Sequence, residues 1–276
     1  MKKITISIIS MILITASANA QNTLLDISYM ECGYKFTLMA DTIKNIKTIK
    51  DQHMMLLIGN KYSKFYSYTT FFSDSLRTSM SAIERENMLS TNNAAGMVEF
   101  LQKNPLGELY NIYKNYTENT ITFTDRLPSR VLYSEPMVKQ DWKIINETKE
   151  IVGYNCQKAT CTFRGRDYVA WFTREIPVNE GPWKFSGLPG LIIKVCDTQE
   201  RYDFELYAVR KVKKDIVFSK EEGSDYQKIS RKEYLKMSRN YIQNPFANID
   251  VTFRRADGTP FIPDQKRYDV MERDIK

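Results

Sequence analysis

Apolar and polar residues alternate with a period of two along most of this chain. Leu25, Ile27 and Tyr29 alternate with Asp26 and Ser28, and strand-like segments follow at Tyr34 to Leu38, at the continuous apolar run Met54 to Ile58 and at Lys64 to Tyr68, with Gly33, Gly59 and Asn60 between them. Short alternating runs broken by turn residues predict antiparallel strands. From Asp74 to about Gln102 the alternation gives way to helix-compatible spacing, which Pro105 ends. Strands resume at Leu109 to Tyr113, Thr120 to Phe123, Tyr133, Trp142 to Ile145 and Ile151-Val152. Asn155 to Phe163 and Asp167 to Thr173 predict a hairpin over Arg164-Gly165-Arg166, and Leu191 to Cys196 with Tyr202 to Val209 predict a second. Ser230 and Glu233 form a capping box that opens a helix running to Asn244-Pro245, and Arg267 to Lys276 reads as a polar tail. The expected architecture is mainly β with minor α: one domain over 21–276, a curved antiparallel sheet or partly open barrel with two or three helices.

Residues 1–20 break the pattern. Lys2 and Lys3 precede the apolar run Ile4 to Ala16 and the small-residue end Ala18-Asn19-Ala20, which predicts a cleavable secretory signal peptide and a periplasmic or secreted protein. No later stretch has the roughly 18 apolar residues of a membrane helix, so no transmembrane segment is expected after cleavage. Losing the leader lowers the formal charge from +7 to +5. Basic residues are dispersed among acids, and no nucleic-acid partner is expected.

An exported chain with four cysteines predicts disulfides. Strand alternation puts Cys32 and Cys161 on apolar faces and Cys156 and Cys196 on faces with lysines, which favours Cys32 with Cys161 and Cys156 with Cys196. A Cys156–Cys161 bridge would require the strand to bend back on itself. His53 is the one histidine and no CxxC spacing occurs, so neither a metal nor another cofactor is expected. No GxSxG, HExxH, P-loop or dinucleotide-binding motif is present, and no catalytic residue is assigned.

Polar and aromatic residues concentrate between Gly153 and Cys196. Tyr154, Arg164, Arg166, Trp171, Trp183 and Lys184 are candidate binding residues, since aromatics interleaved with cations can line a groove. The plainer reading makes Trp171 and Trp183 core anchors and puts the cations on the solvated strand face. In Gly187-Leu188-Pro189-Gly190-Leu191-Ile192, Gly187, Pro189 and Gly190 form a structural turn, expected as type II with Pro189 and Gly190 at its centre, feeding a buried strand.

Gly153 to Thr160, Phe163 to Thr173, Glu175-Ile176-Pro177, Gly181-Pro182 and Gly187 to Ile192, in that order, resemble the GLPGLI family of exported Bacteroidetes proteins across about 151–209. The resemblance implies a Gram-negative cell envelope and a fold rich in antiparallel strands, and it carries over no catalytic residues. The expected role is a non-enzymatic binding or accessory protein for an envelope protein, peptide or lipid. Two alternatives stand beside it: a hydrolase or other enzyme with an unrecognised carboxylate site, and a structural subunit of an outer-membrane complex.

Overall fold

The computed structural model describes residues 23–38, 52–81, 84, 103, 107–126, 129–218, 226–243 and 271–274. The leader expected over 1–20 lies outside them. In chain order the elements are β1 (Thr23–Leu38), β2 (Gln52–Gly59), β3 (Tyr62–Ser67), α1 (Tyr68–Ser79), β4 (Asn111–Asn115), β5 (Thr120–Asp125), β6 (Val131–Pro136), β7 (Lys143–Ile151), β8 (Tyr154–Phe163), β9 (Arg166–Thr173), β10 (Leu191–Asp197), β11 (Tyr202–Phe218), β12 (Gln227–Lys228) and α2 (Arg231–Gln243). The strands form one sheet in the order β12-β6-β5-β4-β3-β2-β1-β11-β10-β9-β8-β7. All pairs are antiparallel except β12 with β6. The mainly β, unclosed architecture is the one the alternation predicted.

Local chemistry explains several elements. Phe163 pairs with Arg166 across Arg164 and Gly165, both left-handed at φ 52° and 76°, so two residues close the β8–β9 hairpin. Asp197 closes the β10–β11 turn by accepting from the backbone N–H groups of Arg201 and Tyr202. The capping box before α2 is formed in both directions: Glu233 N–H donates to Ser230 Oγ at 3.2 Å, and Ser230 N–H donates to Glu233 Oε2 at 2.7 Å.

Three elements depart from expectation. Gly33 does not break β1: a Cβ there would lie 2.5 Å from the Tyr207 ring, so this glycine marks a close approach within a continuous strand. The first helix starts at Tyr68, six residues before Asp74, because Ser67 caps it by accepting from Thr70 N–H. Its expected continuation toward Gln102 lies mostly outside the described residues. The polar tail is tied down at 271–274, as described below.

The sheet curls until its two ends meet. Arg164, between β8 and β9, bonds Glu135 of β6 at 2.5 Å. Eight strand spacings separate β6 from β9, about 38 Å on a flat sheet. The inner face carries the main core, including Tyr34, Phe36, Met54, Phe65, Phe123, Tyr133, Tyr168 and Phe204, together with Tyr234 and Leu235 of α2. The β9–β10 connection fills the concavity as a plug, with Trp183, Phe185 and Leu188 buried among these residues.

All four cysteines are free thiols, which corrects the expected disulfides. Cys32 on β1 and Cys161 on β8 are four strand spacings apart, about 19 Å along the sheet. Cys196 on β10 is level with Thr160, two spacings across and four residues from Cys156. A bridge needs Cα atoms within about 7 Å.

Candidate functional site

The plug is positioned by buried charge. On β4, the fully buried Lys114 ammonium donates to Glu180 Oε2 at 2.8 Å and to the Phe185 carbonyl at 2.7 Å. Gln140 and Trp142 hold the other side: Ser186 N–H donates to Gln140 Oε1, and Trp142 Nε1 donates to the Ser186 carbonyl. Glu180 and Ser186 also form an isolated antiparallel bridge.

The turn after the plug differs from a type II turn. Gly190 N–H donates to the Leu188 carbonyl at 2.8 Å, closing a three-residue turn on Pro189, while Leu191 N–H donates to Ile176 instead. Gly190 has φ 155°, and a Cβ there would lie 2.0 Å from the Thr173 carbonyl oxygen. β10 then enters the core with Leu191, Ile192 and Ile193 fully buried, as expected of the apolar run.

At one end of the plug lies a groove of about 500 Å³, lined by Tyr29, Ile58, Gly59, Asn60, Tyr116 and Met137 on one side and by Pro177 to Glu180, Ser186 and Gly187 on the other. Its polar groups are two phenols, two side-chain amides, Ser186 and one acid. Glu180 is neutralised by Lys114, so the lining has little net charge. Burial pushes the Tyr116 and Tyr29 phenols up, and the Glu180 charge raises both further, so each stays a neutral donor. The Tyr116 hydroxyl is itself buried beside the Ser63 hydroxyl and the Glu180 carboxylate, the groups that act on it by hydrogen bonding. Among the described lining residues Glu180 is the one carboxylate, and a hydrolytic carboxylate pair would need a second.

The six candidate binding residues divide into two sets. Arg164, Arg166, Trp183 and Lys184 come together where the sheet ends meet. Lys184 is fully buried, donating to Tyr133 Oη, Glu135 and Glu272 at 2.8, 2.6 and 2.5 Å. Arg164 bonds Glu135 and Asp274; Arg166 bonds Asp197 and the Met271 carbonyl; Arg231 of α2 bonds Glu272 and Asp274. These charges form a seam that clasps residues 271–274. Trp183, at φ 52°, packs on Phe163 and Phe185. Trp171 is buried at 7% exposure as a member of the main core cluster, with the Lys149 and Lys158 ammonium groups 4.1 and 5.6 Å from its ring centroid. Tyr154 is half-buried at the start of β8. Of the turn residues, Gly187 lines the groove.

Sequence reasoning missed Tyr29, Asn60, Tyr116 and Glu180. Tyr29 falls on a strand by alternation, but nothing local ties Glu180 to Lys114, 66 residues away.

The groove-forming plug lies in the part of the chain that comparison with known proteins picks out. No curated relative matches the chain. Two solved structures of PNGF-II, in space groups P21 and C2, align with 76% of this chain at 15% and 16% identity and TM-scores of 0.49 and 0.48. The alignment covers 33% and 32% of those chains, so this chain spans about a third of PNGF-II. A family model described as a protein of unknown function (Porph_ging), the GLPGLI-type family, matches residues 163–194, a partial match running from the end of β8 through the plug into β10.

Proposed function

We propose that this is an exported, non-catalytic envelope protein that holds a short peptide segment of a partner in the groove beside the plug. The observation that carries the proposal is the groove itself, about 500 Å³ with neutral polar groups on Tyr29, Asn60, Tyr116 and Asn179 and its one carboxylate paired with Lys114. Apolar Ile58, Met137, Pro177 and Val178 intermingle with Asn60, Asn179 and Ser186, a mixture suited to a polar main chain bearing apolar side chains. Export rests on the leader pattern of residues 1–20.

Native mass spectrometry of protein purified from its own envelope tests the proposal. The wild type is expected to carry a discrete adduct that fragments as a peptide, and Tyr116→Phe and Asn60→Ala to lose it while melting normally. Bare wild-type protein, or an adduct unchanged in both variants, overturns the reading.

A further inference from the structure

Helix α1 is built inside out. Its buried positions are Thr70 and Ser73, whereas Tyr68, Phe71 and Phe72 are 45%, 53% and 49% exposed. Hydrogen bonds anchor the buried side: Thr70 Oγ1 donates to the Glu108 carbonyl at 2.9 Å and accepts from Gly107 N–H at 3.0 Å. A surface helix ordinarily turns its apolar stripe inward, so an aromatic stripe turned outward marks an interaction face.

The stripe continues onto the outer face of the sheet. Phe71 packs edge-on against Tyr66, and Tyr68 stacks on Phe72. Exposed Tyr207 is edge-on to His53, with its hydroxyl on Met55 Sδ. Glu31 and Arg210 act electrostatically on both Tyr66 and Tyr207, which places the charges of β11 beside these rings. Arg210 and Lys214 present 63% and 47% of their side chains to solvent on this face, whereas Lys211, paired with Met30, alternates to the other. Arg210 and Lys214 share the one buried acid Glu31.

We infer that this face docks on an anionic lipid bilayer surface. Phenylalanine rings enter the boundary between headgroups and acyl chains, tyrosines sit at headgroup level, and neighbouring cations are drawn to anionic lipid at about 1 kcal/mol each. Among the described residues no helix is long and apolar enough to cross a membrane, so the helix lies on the surface with its rings as the inserting edge. This face is distinct from the groove, and neither proposal depends on the other.

Vesicle flotation of the purified protein decides the matter, using phosphatidylcholine vesicles with and without phosphatidylglycerol. The wild type is expected to float with the anionic vesicles and to be released by about 0.5 M salt. Phe71→Ser/Phe72→Ser and the triple variant Arg210→Gln/Lys214→Gln/Glu31→Gln are each expected to weaken binding about tenfold or more. Phe71 and Phe72 are exposed, and Glu31→Gln leaves no buried acid unpaired in the charge variant, so both variants should melt like the wild type; if the aromatic variant misfolds, the charge variant still decides. Failure of the wild type to float, equal flotation with both vesicle types, or unchanged binding in a folded variant overturns the inference. So does a wild-type dimer in analytical ultracentrifugation that the aromatic variant loses, which would give the face to a second copy.

Discussion

The ammonium of Lys184 lies 2.5 Å from Glu272 Oε1, across 88 residues of sequence, with no exposure to solvent. It joins the plug to residues 271–274 at the seam where the curled sheet meets itself. Replacing Lys184 by Met would remove the cation that Glu135 and Glu272 share and leave them with Arg164 and Arg231, at a cost toward the lower end of roughly 3–5 kcal/mol. Adding Glu272→Gln should recover part of that loss. Denaturant midpoints measure both, and a single-variant loss below about 1 kcal/mol would remove the seam from the account of stability.

Gly190→Ala is expected to destabilise the protein by about 3 kcal/mol or more, because its Cβ would collide with the Thr173 backbone rather than with a mobile side chain. Gly187→Ala also faces a left-handed φ, of 88°, but meets nothing within 4 Å, so its cost should be near 1 kcal/mol. Thermal melts of the two variants should rank them in that order.

Acid should loosen the clasp. Partial burial raises the Asp274 carboxyl, but hydrogen bonds and charge from Arg231 and Arg164 hold it below its ordinary value. Its contribution is therefore present above the unfolded value near 3.9 and is lost as pH falls through the lower folded value. Melting curves between about pH 5 and pH 2.5 should show wild type and Asp274→Asn converging at the acid end. A constant gap between them would contradict the assignment.

Lys64 titrates in the opposite sense. Burial pushes its amine down to about 8, below its unfolded value near 10.4, so the unfolded chain binds more protons in between and the folded state gains stability as pH rises. Lys64→Met should be the more stable protein at pH 7, by on the order of 1 kcal/mol, with an advantage that shrinks from about pH 8 to pH 10. An advantage independent of pH would show that Lys64 is already neutral.

The thiols offer a chemical check on the sheet. Burial pushes Cys32, Cys161 and Cys196 up to about 12 and Cys156 to about 11. Thiol reagent at pH 8 should leave the folded protein almost unmodified and label four groups after unfolding without reductant. Two labelled groups or none would mean that a disulfide forms.

Much of the strand ladder was legible, because alternation reports burial locally. The hairpin at Arg164-Gly165, the capping box at Ser230 and the buried run after Gly190 each follow from neighbours in sequence. Gly33 misled because a glycine that breaks a strand and one that admits a ring look alike in sequence. Asp74 misled because Ser67, the true cap, closes an alternating run.

Sequence by itself determined which residues extend, where the chain turns and which stripe of each strand faces inward, since these depend on spacings of a few residues. Only the tertiary structure decided what Arg164, Arg166 and Lys184 are for. Their partners Glu135, Asp197, Glu272 and Asp274 stand 29 to 110 residues away and reach them only when the sheet curls. The same curl brings Tyr29, Tyr116 and Glu180 around one groove, which no local pattern encodes.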